Sequence, residues 1–176
     1  MRSKLTTLPL LLGILLSVAT TASAEPATNL IEFSLKDQFG TEHSRDDAAG
    51  KVVFILGSDG EGSGFNDAWG GAVNDALSDH PQQSKLHQLP YADLRSVPFF
   101  AKGIARGMMP EEPENWVLLD WKGTIAKAYE FRDGATNMLV FASDGTLTGQ
   151  FSGTELDDTV LNQVIDELRR QLENSP

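Results

Sequence analysis

The chain has 176 residues, 14 Lys and Arg against 25 Asp and Glu, and no cysteine, for a formal net charge of -11. Without thiols there is no disulfide, thiolate nucleophile, thiolate zinc site or CxxC redox pair. The acidic balance argues against nucleic acid and anionic lipid as partners, and an apolar fraction of 40% is enough for one core.

Residues 1–24 read as a secretory signal peptide. Arg2 and Lys4 open it, an apolar run follows over 8–18, and Ala22-Ser23-Ala24 supplies a small-x-small cleavage site before Glu25. The run is too short for a stable membrane anchor. Cleavage leaves 25–176 as a single exported domain of net charge -13 once Arg2 and Lys4 are gone. A bacterial periplasm is the expected compartment, although a eukaryotic secretory route fits the same signal. Lacking disulfides, such a domain holds together by burial.

Ile31, Phe33 and Leu35 alternate with polar residues as in a half-buried strand, and Asp37-Gln38-Phe39-Gly40 turns. Residues 51–57, KVVFILG, form the continuous apolar run of a central strand covered on both faces. A glycine-rich loop spans 58–64; Phe65, Ala68, Trp69, Ala72, Val73, Ala76 and Leu77 then recur at helical spacing. Residues 89–94 predict a short strand and 97–109 a Pro-initiated helix ending before Pro110, with an acidic, Pro-containing surface loop over 110–115. After the apolar run 116–119 and a turn at 120–123, a short helix is expected over 125–129. Runs 138–142 and 147–151 around Ser143-Asp144-Gly145 read as a β-hairpin. The last helix carries the stripe Leu156, Val160, Leu161, Val164, Ile165, Leu168 and Leu172, with Thr154 and Asp157 spaced as a capping box. This alternating order with an antiparallel end predicts one three-layer α/β domain.

Three segments resemble the thioredoxin-like redoxins of the alkyl hydroperoxide reductase and thiol-specific antioxidant group: FSLKDQFGTEHSRDDAAGKVVFILGS over 33–58, WVLLDWKGTIAKAYEF over 116–131 and MLVFASDGTLTGQFSG over 138–153. The resemblance implies a three-layer thioredoxin-like sandwich, with a mixed central sheet and a C-terminal β-hairpin and helix. It also implies a reactive cysteine or CxxC pair where the helix after the GKVV strand begins, since a helix N-terminus favours the thiolate. Ser63 and Asn66 align with that pair, and Thr136 with the family's cis-proline. A serine there needs a general base, and no histidine is near in sequence. Thr136 is expected to follow a trans peptide. The scaffold is kept and the redox centre is vacated.

Gly57, Gly60, Gly62 and Gly64 follow a strand as in a phosphate loop, but Asp59 and Glu61 would repel phosphate and no Lys-Ser/Thr follows. Asp59, Glu61, Ser63 and Gly64 resemble the first half of a calcium loop whose twelfth position, Gly70, lacks the required Glu. His43, His80 and His87 have no metal-ligand spacing and read as solvated surface residues. No catalytic residue, metal site or cofactor is assigned. The candidate binding loop comprises Asp59, Glu61, Ser63 and Phe65. Phe99, Phe100, Met108, Met109, Trp116 and Trp121 could form an apolar surface, with Met108, Met109 and Trp116 as its candidate contacts. The first functional reading is a non-catalytic periplasmic binding or accessory protein, its partner another periplasmic protein or a small ligand. The alternatives are a redoxin-type oxidoreductase or antioxidant activity implied by the resemblance, and a weak calcium-dependent module built on loop 59–64.

Overall fold

A computed structural model describes residues 26–176; the signal-peptide expectation falls on residues 1–24, outside them. A seven-stranded mixed sheet forms the middle layer, with strands β1 (Ser34–Asp37), β2 (Glu42–Ser44), β3 (Val52–Ser58), β4 (Leu86–Asp93), β5 (Leu118–Asp120), β6 (Thr136–Phe141) and β7 (Leu147–Gly153) in the spatial order β2-β1-β5-β4-β3-β6-β7. β3 lies between β4, to which it runs parallel, and β6, to which it runs antiparallel. The parallel connection passes through helix α1 (Asn66–Leu77).

The alternation of side chains along β3 explains why its sequence is apolar throughout. Val53 and Ile55 point into a cluster with Leu89, Tyr91, Leu118, Ile125, Tyr129 and Phe141, under the short helix α3 (Thr124–Ala128). Val52 and Phe54 point the other way, against Trp69, Val73 and Leu77 of α1 and Val164, Leu168 and Leu172 of helix α4 (Asp158–Asn174). The expected three layers are therefore present, and so are the β6–β7 hairpin and the C-terminal helix. The helix α2 (Lys102–Gly107) follows a 3-10 turn at Phe99–Ala101.

Four boundaries differ from the sequence pattern. β1 begins at Ser34, three residues after the alternation starts, because Phe33 is already packed into the core while pairing with β2 begins at Ser34. β4 starts at Leu86, since Leu86, His87 and Gln88 pair with Val52, Val53 and Phe54 although His87 and Gln88 are polar. The helix expected over 97–109 is only the 3-10 turn and the six residues of α2. The capping box at Thr154 is not formed. Asp157 itself caps α4, accepting from the Val160 amide at 3.0 Å, while the Thr154 carbonyl accepts from the Trp69 indole and Leu156 precedes the helix, exposed.

Candidate functional site

Loop 58–66 leaves the C-terminal end of β3 and enters α1 through a 3-10 turn, Ser63–Phe65. Two glycines shape it by close approach. A Cβ at Gly57 would lie 1.9 Å from the Tyr91 carbonyl oxygen of β4, and one at Gly62 would lie 2.7 Å from both the amide nitrogen and the carbonyl oxygen of Ala135. Gly62 thus lets the loop dock directly on the backbone that precedes Thr136.

The loop's polar groups are consumed internally. Asp59 accepts the Gly62 amide at 2.9 Å and the Gly134 amide at 3.2 and 3.1 Å, joining the loop to a segment 75 residues away. Ser63 Oγ donates to the Gly60 carbonyl at 2.9 Å. Asn66 is held on both sides of its carboxamide: Nδ2 donates to Ser58 Oγ at 3.0 Å and Oδ1 accepts from Thr136 Oγ1 at 2.8 Å. Ser58 and Thr136 are buried, and the peptide bond before Thr136 is trans, as everywhere among the described residues.

Several expectations change here. Asn66 and Thr136 are brought into direct contact, whereas Ser63 sits exposed on the preceding turn rather than inside the first turn of α1. Phe65 is half-buried, packed against the core formed with Trp69 and Phe54. Glu61 is exposed. Both Asp59 oxygens accept from backbone amides that tie the loop to Gly134. Among the described residues, no three His, Asp or Glu side chains are grouped to hold a metal ion.

Beside the loop lies a cleft of about 340 Å³ lined by Asp59, Glu61, Asp93, Arg95, Ser96 and Asp133. Arg95 bridges Asp93 (Nε to Oδ2, 3.0 Å) and Asp133 (2.7 Å). Burial pushes the Asp93 carboxyl above its ordinary value, against the pull of the Arg95 amide and guanidinium. Behind it the Tyr91 hydroxyl donates to Asp120 at 3.0 Å and accepts from the Ala126 amide; burial and the two carboxylates push its pKa far up. Apart from Arg95 with Asp93, these pairs join residues 29 or more positions apart, so spacing gave no sign of them. The cleft carries four carboxylates against one guanidinium.

The histidines are not simply solvated. His43 stacks on Trp116 with ring centroids 4.2 Å apart, and its Nε2 lies 3.0 Å from Asp37 Oδ2. Burial pushes Asp37 up, but the bonds from His43 and the Thr41 and Phe39 amides outweigh it and leave the carboxyl below its ordinary value. His87 is half-buried with no partner for Nε2, and desolvation followed by the Lys51 charge lowers its pKa. Trp116 and Met109 are both half-buried, Trp116 under the stacked His43 ring; Met108, by contrast, is 80% exposed. Phe99 and Phe100 are each 86% exposed and Ile104, which the sequence reading did not single out, is 71% exposed.

No protein-family model matches the chain, and no curated protein matches it. Solved structures do. A candidate protein disulfide isomerase from Bacteroides thetaiotaomicron is 13% identical with a TM-score of 0.60, over 85% of this chain and 91% of that one. The pneumococcal exposed lipoprotein thioredoxin from Streptococcus pneumoniae is 15% identical with a TM-score of 0.58, over 78% and 99%. A secreted Mycobacterium tuberculosis disulfide oxidoreductase is 12% identical with a TM-score of 0.51, over 78% and 95%. The fold is thioredoxin-like and the chain carries it without cysteine.

Proposed function

We propose that the chain is an exported thioredoxin-fold domain that acts by binding and does no thiol chemistry. The observation that carries this reading is the Asn66 carboxamide tied to Thr136 and Ser58. Asn66 and Ser63 stand where the resembling family keeps its reactive pair, and neither can form a thiolate. The Ser63 hydroxyl is turned to a carbonyl, so it is not poised as a nucleophile either. What remains for function is the outer rim of loop 58–66, with Glu61 exposed beside an acidic cleft, as a contact for a periplasmic protein or a small ligand.

Export is supported by the segment 1–24 and by the secreted and surface-exposed proteins among the structural neighbours. Among the described residues, no helix is long and apolar enough to cross a membrane. The test is turnover: purified protein, given a disulfide or a hydroperoxide and a thiol donor, should do no better than its heat-denatured control. Reduction above that control would sink the non-catalytic reading. A partner captured from periplasmic extract should be lost on Glu61→Lys, a substitution at an exposed side chain.

A further inference from the structure

A surface helix ordinarily turns its apolar stripe inward. The 3-10 turn and α2 do the reverse. Ala101, Lys102 and Ala105 are half-buried toward the body, and the Lys102 ammonium lies 4.9 Å from the Trp121 ring centroid and 5.7 Å from that of Phe99. Phe99, Phe100, Ile104 and Met108 face outward. At about 150 Å² per aromatic ring, Phe99 and Phe100 alone expose roughly 300 Å², and Ile104 and Met108 extend the patch toward the ~800 Å² per partner of a standard interface.

The surroundings of this stripe carry both signs of charge, segregated. Residues 94–110 contain Arg95, Lys102 and Arg106 and no acid; Glu111, Glu112 and Glu114 follow at once, all exposed. Among the described residues, Lys102, Arg106 and these three glutamates make no ion pair. The acidic loop is nonetheless fixed: Gln38 donates to the Pro110 and Asn115 carbonyls, both at 3.1 Å, and accepts from the Val117 amide at 2.8 Å. An apolar stripe with a basic flank beside a fixed acidic one is complementary to itself after a two-fold rotation, the requirement of an isologous interface.

We propose that Phe99, Phe100, Ile104 and Met108 form the centre of a two-fold interface between two copies of this chain, with Lys102 and Arg106 of each copy facing Glu111, Glu112 and Glu114 of the other. An anionic bilayer fits less well, because the glutamates and the net charge of -11 oppose it. The inference does not depend on the binding reading above.

Sedimentation velocity on protein recovered from cells expressing the full chain tests it, across about a hundredfold range of concentration, since association is a mass-action effect. The mass should rise from one copy to two. Phe100→Glu with Ile104→Glu should abolish the rise, with thermal midpoint and far-UV circular dichroism of the monomer retained. Arg106→Glu should weaken the dimer about tenfold or more, and adding Glu111→Lys with Glu112→Lys to it should restore association. Monomer at every concentration overturns the proposal, as does a dimer that survives Phe100→Glu with Ile104→Glu, or a charge reversal without rescue. Monomer that instead co-sediments with phosphatidylglycerol vesicles in a stripe-dependent way would reassign the surface to lipid and overturn it equally.

Discussion

Loop 58–66 lines the cleft, and segment 99–108 begins three residues beyond Ser96, which lines it too; the two treat their side chains in opposite ways. In the loop, Asp59, Ser63 and Asn66 all find partners inside the chain, and Gly62 admits the backbone of Ala135 to close contact. In the segment, the large apolar groups and flanking charges find almost none. The difference teaches that the inner side chains of the loop are spent on holding its backbone, leaving only its outer rim free, while the apolar side chains of the segment are left outside.

If the loop is structural, disturbing it should cost folding stability, and disturbing the segment should not. The largest effect belongs to Gly62→Val, whose Cβ would meet the Ala135 backbone at 2.7 Å. Overpacking against immovable backbone should cost about 3 kcal/mol or more, read from the urea midpoint. Asp59→Ala comes next. It strips the acceptor from two amides, which at charged hydrogen bonds is worth about 2 to 3 kcal/mol, and limited proteolysis should then cut near Gly134. A urea midpoint equal to that of the unsubstituted protein would place loop 58–66 with the segment.

Asn66→Ala and Thr136→Val should each cost about 1 kcal/mol. Their double-mutant cycle should show a coupling of about 0.5 kcal/mol or more, because they share one bond. A cycle that closes to zero would mean the two side chains are independent. The smallest effect is expected for Phe100→Ser and Ile104→Ser. At concentrations where the protein is monomeric, their unfolding free energies should stay within about 0.5 kcal/mol of the parent.

The parts of the molecule that sequence made visible are those governed by local period. The run at Val52–Ser58 had to be a strand covered on both faces, and Ser143-Asp144-Gly145 had to be a turn between β6 and β7. Trp69, Val73 and Leu77 had to share a helix face. The vacated site was legible only as an alignment to a resembling family, which placed Ser63, Asn66 and Thr136. That Asn66 reaches Thr136 across 70 positions, or that Asp59 reaches Gly134, depends on chain crossings that no spacing encodes. The start of α4 illustrates a tertiary override: Thr154 would suit a capping box, but Trp69 claims its carbonyl, and the helix is capped three residues later by Asp157. His43 and Trp116 looked like separate surface residues because their stacking joins β2 to the strand of chain leading into β5. The outward face of α2 escaped the periodicity argument since a stripe at helical spacing does not say which side is water.

The central claim is that Ser63 and Asn66 occupy the place of the lost redox pair, and Ser63→Cys with Asn66→Cys tests it most directly. The two positions lie three residues apart in continuous right-handed helical backbone, from the 3-10 turn into α1. That spacing puts their Cα atoms within the roughly 4.4 to 6.8 Å a disulfide tolerates. After mild oxidation, intact mass with alkylation should report a folded monomer with both thiols joined and none alkylated. Two alkylated cysteines on folded, monomeric protein would contradict the placement of the vacated site.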